Sequence, residues 1–173
     1  MEHVKYVSAK NQKTTMSKDK FLIGIDPDVD KSGVAIIDGN NVTLDNLTFF
    51  KLFDYLKFYK EKERKPTVYV ECGFLNKSNW HKSAGKSAAF NAKIGEYTGA
   101  NFETAKKICE MCEYLNIPHV KIKPTNSKKD SDFFKKLTGI TFRTNQEQRD
   151  AFMLIYGCLL YTSDAADEWR GVD

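Results

Sequence analysis

The chain has little of what marks several large functional classes. It holds only 4 cysteines. Cys109-x-x-Cys112 stands alone inside a helical pattern with no second pair at zinc-finger spacing, so Cys72, Cys109, Cys112 and Cys158 read as packing residues. No apolar run reaches the roughly 18 residues that a membrane span requires. The polar, Lys-rich start lacks the apolar segment of a secretory signal, and a cytoplasmic protein is the expectation. The 10 glycines are not gathered into the phosphate loops that a two-domain sugar-kinase or heat-shock-type ATPase needs, although such proteins also open on a Gly-Ile-Asp strand.

What is present fits one domain with a proper core: 173 residues, 41% of them hydrophobic and 13% aromatic, which excludes a disordered chain. The formal net charge of +4 conceals a gradient, with −3 on residues 158–173 and therefore +7 on residues 1–157. A basic body suits a polyanionic partner without naming one.

The most informative stretch is Phe21 to Asp38, FLIGIDPDVDKSGVAIID. Two apolar runs flank a Pro- and Asp-rich turn, which predicts a β-hairpin of buried strands with Asp26 at the end of the first. Gly24 and Gly33 would let backbone or a ligand approach either side of that carboxylate. Asp38-Gly39-Asn40-Asn41 is a turn into a third strand over about 42–47, and Phe50 to Glu63 has helical spacing. Thr67 to Val70 is a strand that delivers Glu71 at its end. Residues 72–85 form a polar, aromatic and basic loop. A helix begins at Lys86 and is interrupted or bent near Gly99, and Asn101 to Leu115 continues as a helix. His119 to Lys123 alternates as a strand. Lys123 to Lys136 is lysine-rich with Phe133, Phe134 and Leu137 on a helix face. The last helix runs Gln146 to Leu160, with Asn145 and Gln148 placed to form a capping box and with Glu147 and Asp150 three apart on one face. Strands joined by helical crossovers after an opening hairpin give an α/β fold with a mixed sheet.

Residues 1–20 read as a flexible basic arm and residues 21–157 as the folded domain. The segment Cys158 to Glu168, CLLYTSDAADE, resembles the translation of a sequencing adaptor, so residues 158–173 are expected to be a non-native tail. Asp164 and Asp167 there imitate an acidic pair. No apolar periodic run follows Asp167, whereas Asp150 leads directly into AFMLIYG.

Four carboxylates are then left as the functional set: Asp26, Glu71, Glu147 and Asp150. Carboxylates gathered in one place repel and need a cation. Mg2+ is the expected one, as a hard ion with oxygen ligands, and Mn2+ is a possible substitute. Two ions roughly 4 Å apart would activate a water and stabilise the leaving oxygen of a phosphodiester. Asp26 would bridge both ions, Glu71 and Asp150 would hold separate ones, and Glu147 would complete a shell or assist water deprotonation.

With these positions in order, the chain resembles the RuvC-type Holliday junction resolvases of the ribonuclease H-like fold. The resemblance is carried by Gly24-Ile25-Asp26-Pro27, by Glu71 in VYVECGF, by Glu147-Gln-Arg-Asp150-Ala151, and by the NAKIGEYTGA and KIKPTNSKKD segments. It covers residues 21–157 and implies a crossover junction endodeoxyribonuclease: a homodimer that cuts opposing strands of a four-way DNA junction. It further implies that Phe74 meets bases near the junction centre, that Lys77, Lys82 and Lys86 line the DNA path, and that Lys128 or Lys129 reaches the scissile phosphate. Asp28 replaces the family's usual Gly after Pro27, Asp30 adds charge to the turn, and Glu147 stands where Asp is commonest. The compact chain and the Lys-Ser-Gly turn look more like phage or viral members. Two alternatives stay open: a nuclease of the same fold for other branched DNA or RNA-DNA hybrids, and a junction-binding module without cleavage.

Overall fold

The computed structural model describes residues 7–8, 20–62, 65–76, 87–125 and 128–160. Its elements are β1 (Val7–Ser8), β2 (Phe21–Asp26), β3 (Ser32–Asp38), β4 (Asn41–Leu47), α1 (Phe49–Lys60), β5 (Thr67–Glu71), α2 (Ala88–Tyr114), β6 (His119–Ile122), α3 (Ser131–Thr138) and α4 (Gln146–Leu160). The sheet order is β1-β4-β3-β2-β5-β6. β2, β3 and β4 are antiparallel neighbours, while β5 lies parallel to β2 on its other side and β6 parallel to β5. A three-stranded meander extended by two parallel crossover strands on the far side of its first strand is the ribonuclease H-like arrangement. Of the N-terminal arm, Val7–Ser8 and Lys20 are described, the former as a short strand paired with β4.

The alternation of strand side chains divides the core in two. Ile23, Ile25, Val34, Ile36, Val68 and Val70 face one side, where Leu52 and Leu56 of α1 and Ile108, Cys109 and Cys112 of α2 cover them. Leu22, Ala35 and Ile37 face the other, under Phe134 of α3 and Ala151, Phe152 and Ile155 of α4. Asp26 continues the even-numbered row of β2, and Glu71 continues the row of Tyr69 on β5. Both carboxylates therefore belong to the α4 face.

Local signals place most elements where the pattern predicts them. Gly39 takes φ 56°, the left-handed conformation that the two-residue β3–β4 turn requires. Asn145 and Gln148 form a reciprocal box: the Gln148 amide donates to Asn145 Oδ1 at 2.9 Å and the Asn145 amide donates to Gln148 Oε1 at 3.1 Å. Asn145 Nδ2 also donates to Asn46 Oδ1 at 2.8 Å, pinning the start of α4 to the end of β4.

One helix differs from expectation. The interruption near Gly99 is absent, and α2 runs unbroken for 27 residues. Among the described residues, a Cβ at Gly95 or Gly99 would meet nothing within 4 Å, so the helix tolerates both glycines at their intrinsic propensity, about 1 kcal/mol each. Burial of Ala105, Ile108, Cys109, Met111 and Cys112 anchors the C-terminal half. In the lysine-rich segment the helix that carries Phe133, Phe134 and Leu137 starts at Ser131, where the Asp130 carboxylate accepts from the amides of Asp132 and Phe133. The cysteines behave as packing residues: Cys72, Cys109 and Cys112 are buried free thiols, with Cys72 and Cys109 Sγ atoms 3.9 Å apart.

Candidate active site

Two glycines decide where the acidic residues of α4 land. A Cβ on Gly24 would stand 2.0 Å from the Ala151 carbonyl oxygen, and one on Gly33 2.2 Å from the Glu147 carbonyl oxygen. The ligand-or-backbone choice left open for these positions thus falls to backbone: α4 lies directly on β2 and β3. That close approach brings the first turns of α4 to the sheet edge where β2 ends. Ile25 stands beside Val70 in the parallel register, so Asp26 and Glu71 are the next residues of adjacent strands at the same end. Glu147 and Asp150 arrive from above.

A cleft of about 290 Å³ opens there, lined by Asp26, Asp28, Glu71, Lys128 and Glu147, with Thr98, Asn101 and Phe102 of α2 as its far wall. A second, smaller one of about 150 Å³ is lined by Glu71, Lys128, Asp150 and Ile122. Glu71 and Lys128 belong to both. The Lys128 side chain stands between the two lobes, with Nζ 3.1 Å from Asp150 Oδ2.

The electrostatics follow from burial and crowding. Burial, then the charges of Glu71, Asp150 and Glu147, push the Asp26 carboxyl up to about 7, against the opposing pull of Lys128. Burial and Asp150 likewise raise Glu71. Burial works against the Lys128 ammonium, but its hydrogen bond to Asp150 and the charges of Asp150, Asp26 and Glu71 together hold it above the ordinary lysine value. Three of the four carboxylates thus share one lysine as their neighbouring cation.

Among the described residues, no three His, Cys, Asp or Glu side chains stand close enough to grip an ion as they are placed. The set fits a divalent metal by chemistry and charge: all donors are carboxylate oxygens, the preference of a hard ion, and a cationic ammonium already sits among them.

The other sequence-derived residues fall into four groups. Asp28 lines the cleft, but one oxygen is engaged in its own turn, accepting from the amides of Asp30 at 2.9 Å and Lys31 at 3.4 Å, while Asp30 is exposed. Phe74 sits in a short 3-10 turn (Gly73–Leu75), half-buried, edge-on to Phe102 with ring centroids 6.5 Å apart and with Lys106 Nζ 5.9 Å from its ring centre. Lys129 Nζ lies 4.9 Å from the Phe133 ring centre. Lys77, Lys82 and Lys86 lie outside the described residues.

Sequence reasoning missed Thr98, Asn101, Gln146 and Arg149. Thr98, Asn101 and Phe102 share one face of α2 at i, i+3 and i+4, a signal hidden while the helix was divided at Gly99. Among the described residues, Asn101 Oδ1 is buried without a hydrogen-bond partner.

No protein-family model matches the chain, and no curated protein matches it. Among solved structures it is similar to T. thermophilus RuvC in complex with Holliday junction substrate. That match has 12% identity and a TM-score of 0.49, and covers 78% of this chain and 89% of that one.

Proposed function

We propose that the protein is a magnesium-dependent endonuclease that hydrolyses phosphodiester bonds of four-way DNA junctions. The observation that carries this reading is the meeting of Asp26, Glu71, Glu147 and Asp150 at one end and on one face of the sheet, with Lys128 among them. Asp26, Glu71 and Asp150 would hold the metal, with Glu147 at the open edge. The bound ion supplies Lewis acidity and an activated water. The chain's own part is to gather and orient the carboxylates against their mutual repulsion and to present Lys128 to a phosphate as a point charge. The basic body agrees with a DNA partner. The junction specificity rests on the sequence resemblance, as does the homodimer, for which the exposed Phe90, Ile94 and Tyr97 of α2 offer an apolar face at helical spacing.

A substrate panel tests the specificity. In magnesium the four-way junction should be cut faster than duplex, fork or RNA-DNA hybrid, and preference for a hybrid or fork would replace the junction reading with the other nuclease. Lys128 gives a further expected result. Lys128→Ala should slow cleavage while tightening Mn2+ binding by roughly three- to tenfold, because the metal no longer displaces a resident ammonium at a partly exposed ion pair. Calorimetric titration checks this, and weaker Mn2+ binding by the variant would contradict it.

A further inference from the structure

Arg149 is 91% buried, with only 9% of its surface exposed, and points away from the carboxylates on its own helix. Among the described residues its guanidinium meets only neutral oxygens. Nε donates to the Lys129 carbonyl at 3.0 Å, Nη1 to the Thr144 carbonyl at 2.8 Å and to Thr144 Oγ1 at 3.3 Å, and Nη2 to Gln146 Oε1 at 2.8 Å. Arginine only donates, so the last bond fixes the orientation of the Gln146 amide: oxygen toward Arg149, nitrogen away. That nitrogen donates to Asp150 Oδ1 at 2.7 Å and reaches the Lys129 carbonyl at 3.4 Å. One Asp150 oxygen is thereby occupied, and Oδ2 is left as the oxygen that meets a cation, at present the Lys128 ammonium. The carbonyl of Lys129, next in the chain to Lys128, is held by both Arg149 and Gln146.

We propose that Arg149 and Gln146 are positioning residues that set Asp150 and the Lys128 segment relative to each other, an inference that rests on the metal-dependent reading of the four carboxylates. A buried guanidinium given over to neutral acceptors bears its desolvation cost with no ion pair to offset it. Its geometric role is specific: without the fork, the Gln146 amide is free to turn its oxygen toward Asp150. Hydrogen-bonding partners behind a metal's ligands typically govern affinity or activity by about 10- to 100-fold.

The test is Mn2+ titration of the metal-free protein, with wild type, Asp26→Asn, Arg149→Lys, Gln146→Leu and the Arg149→Lys/Gln146→Leu pair, each checked by thermal melting. Arg149→Lys keeps the charge and loses the fork, and Gln146→Leu removes the amide from a half-buried residue of the first helical turn while keeping its approximate volume. Both single variants should bind Mn2+ about tenfold more weakly, and the pair no worse than the weaker single, because both act through one carboxylate. Two contacting residues couple in melting temperature whatever their role, so the deciding readout is the Mn2+ affinity of variants that melt above the titration temperature, which a merely structural role would leave at the wild-type value. Wild-type affinity in Gln146→Leu, or additive losses in the pair, would overturn the positioning role while Asp26→Asn still abolished binding. Equal binding by wild type and Asp26→Asn would instead overturn the metal reading itself, and this inference with it.

Discussion

Asp26→Asn should abolish cleavage and at the same time make the metal-free protein more stable. The loss follows from removing the carboxylate that faces all three others: several kcal/mol of transition-state stabilisation, about a thousandfold or more in rate. The gain in stability follows from the same crowding. The folded-state pKa of Asp26, about 7, lies above its ordinary value of 3.8, so the folded protein holds a proton that the unfolded chain releases. Stability contributed by this group is therefore fully present below about pH 3.8, falls as pH rises toward 7, and stays low above that. Asparagine removes the penalty. At pH 8 without metal, Asp26→Asn should be more stable than wild type by about 1–4 kcal/mol, and near pH 4 the two should be alike. Denaturant unfolding at both pH values measures the difference. A variant less stable than wild type at pH 8 would mean that the site does not hold Asp26 under electrostatic strain.

Gly24→Ala should be the most damaging conservative change in the fold. The added methyl would lie 2.0 Å from the Ala151 carbonyl oxygen and 3.0 Å from its carbonyl carbon, both backbone atoms of α4. A side chain could turn aside, but a buried helix has to lift. Overpacking of this kind costs about 3 kcal/mol or more, here by prising Ala151, Phe152 and Ile155 off the sheet. Gly33→Ala, 2.2 Å from the Glu147 carbonyl oxygen, should act likewise and displace Glu147 directly. The controls are Gly95→Ala and Gly99→Ala in α2, where no described residue lies within 4 Å of an added methyl and helix propensity favours alanine by about 1 kcal/mol. Thermal melting should move down sharply for the first pair and slightly up for the second. A Gly24→Ala protein that melts with wild type would mean that α4 does not rest on β2 as described.

Much of this could be read in the chain because the deciding signals are local. A hairpin with a Pro- and Asp-rich turn announces where a strand ends, so Asp26 and Glu71 could be placed at strand termini from their neighbours alone. The bounds of α4 were legible because Asn145 and Gln148 cap it and an apolar run follows. Non-local properties were not legible. Gly24 and Gly33 reveal their purpose only when the helix that covers them, more than 110 residues later, is known. Gly99 looked like a break because the gain from burying Ala105, Ile108 and Cys109 in the same helix is a tertiary term. Arg149 and Gln146 read as ordinary polar helix residues, since their partner, the Lys129 carbonyl, lies 20 and 17 positions away in a loop. Asp28, which stands where the resembled family usually has glycine, engages one oxygen in its own turn through local hydrogen bonds that the spacing Asp28-x-Asp30 already contained.

The most direct test of the metal-dependent junction nuclease is a single preparation followed through two ions. The protein is first bound to a four-way DNA junction in calcium, and the strands are then analysed after magnesium is added, beside Asp26→Asn and Asp150→Asn. The result predicted is a stable complex in calcium for all three proteins and strand cleavage in magnesium by wild type alone. Cleavage by Asp26→Asn at the wild-type rate, or a wild-type complex that stays uncut in magnesium, would contradict it.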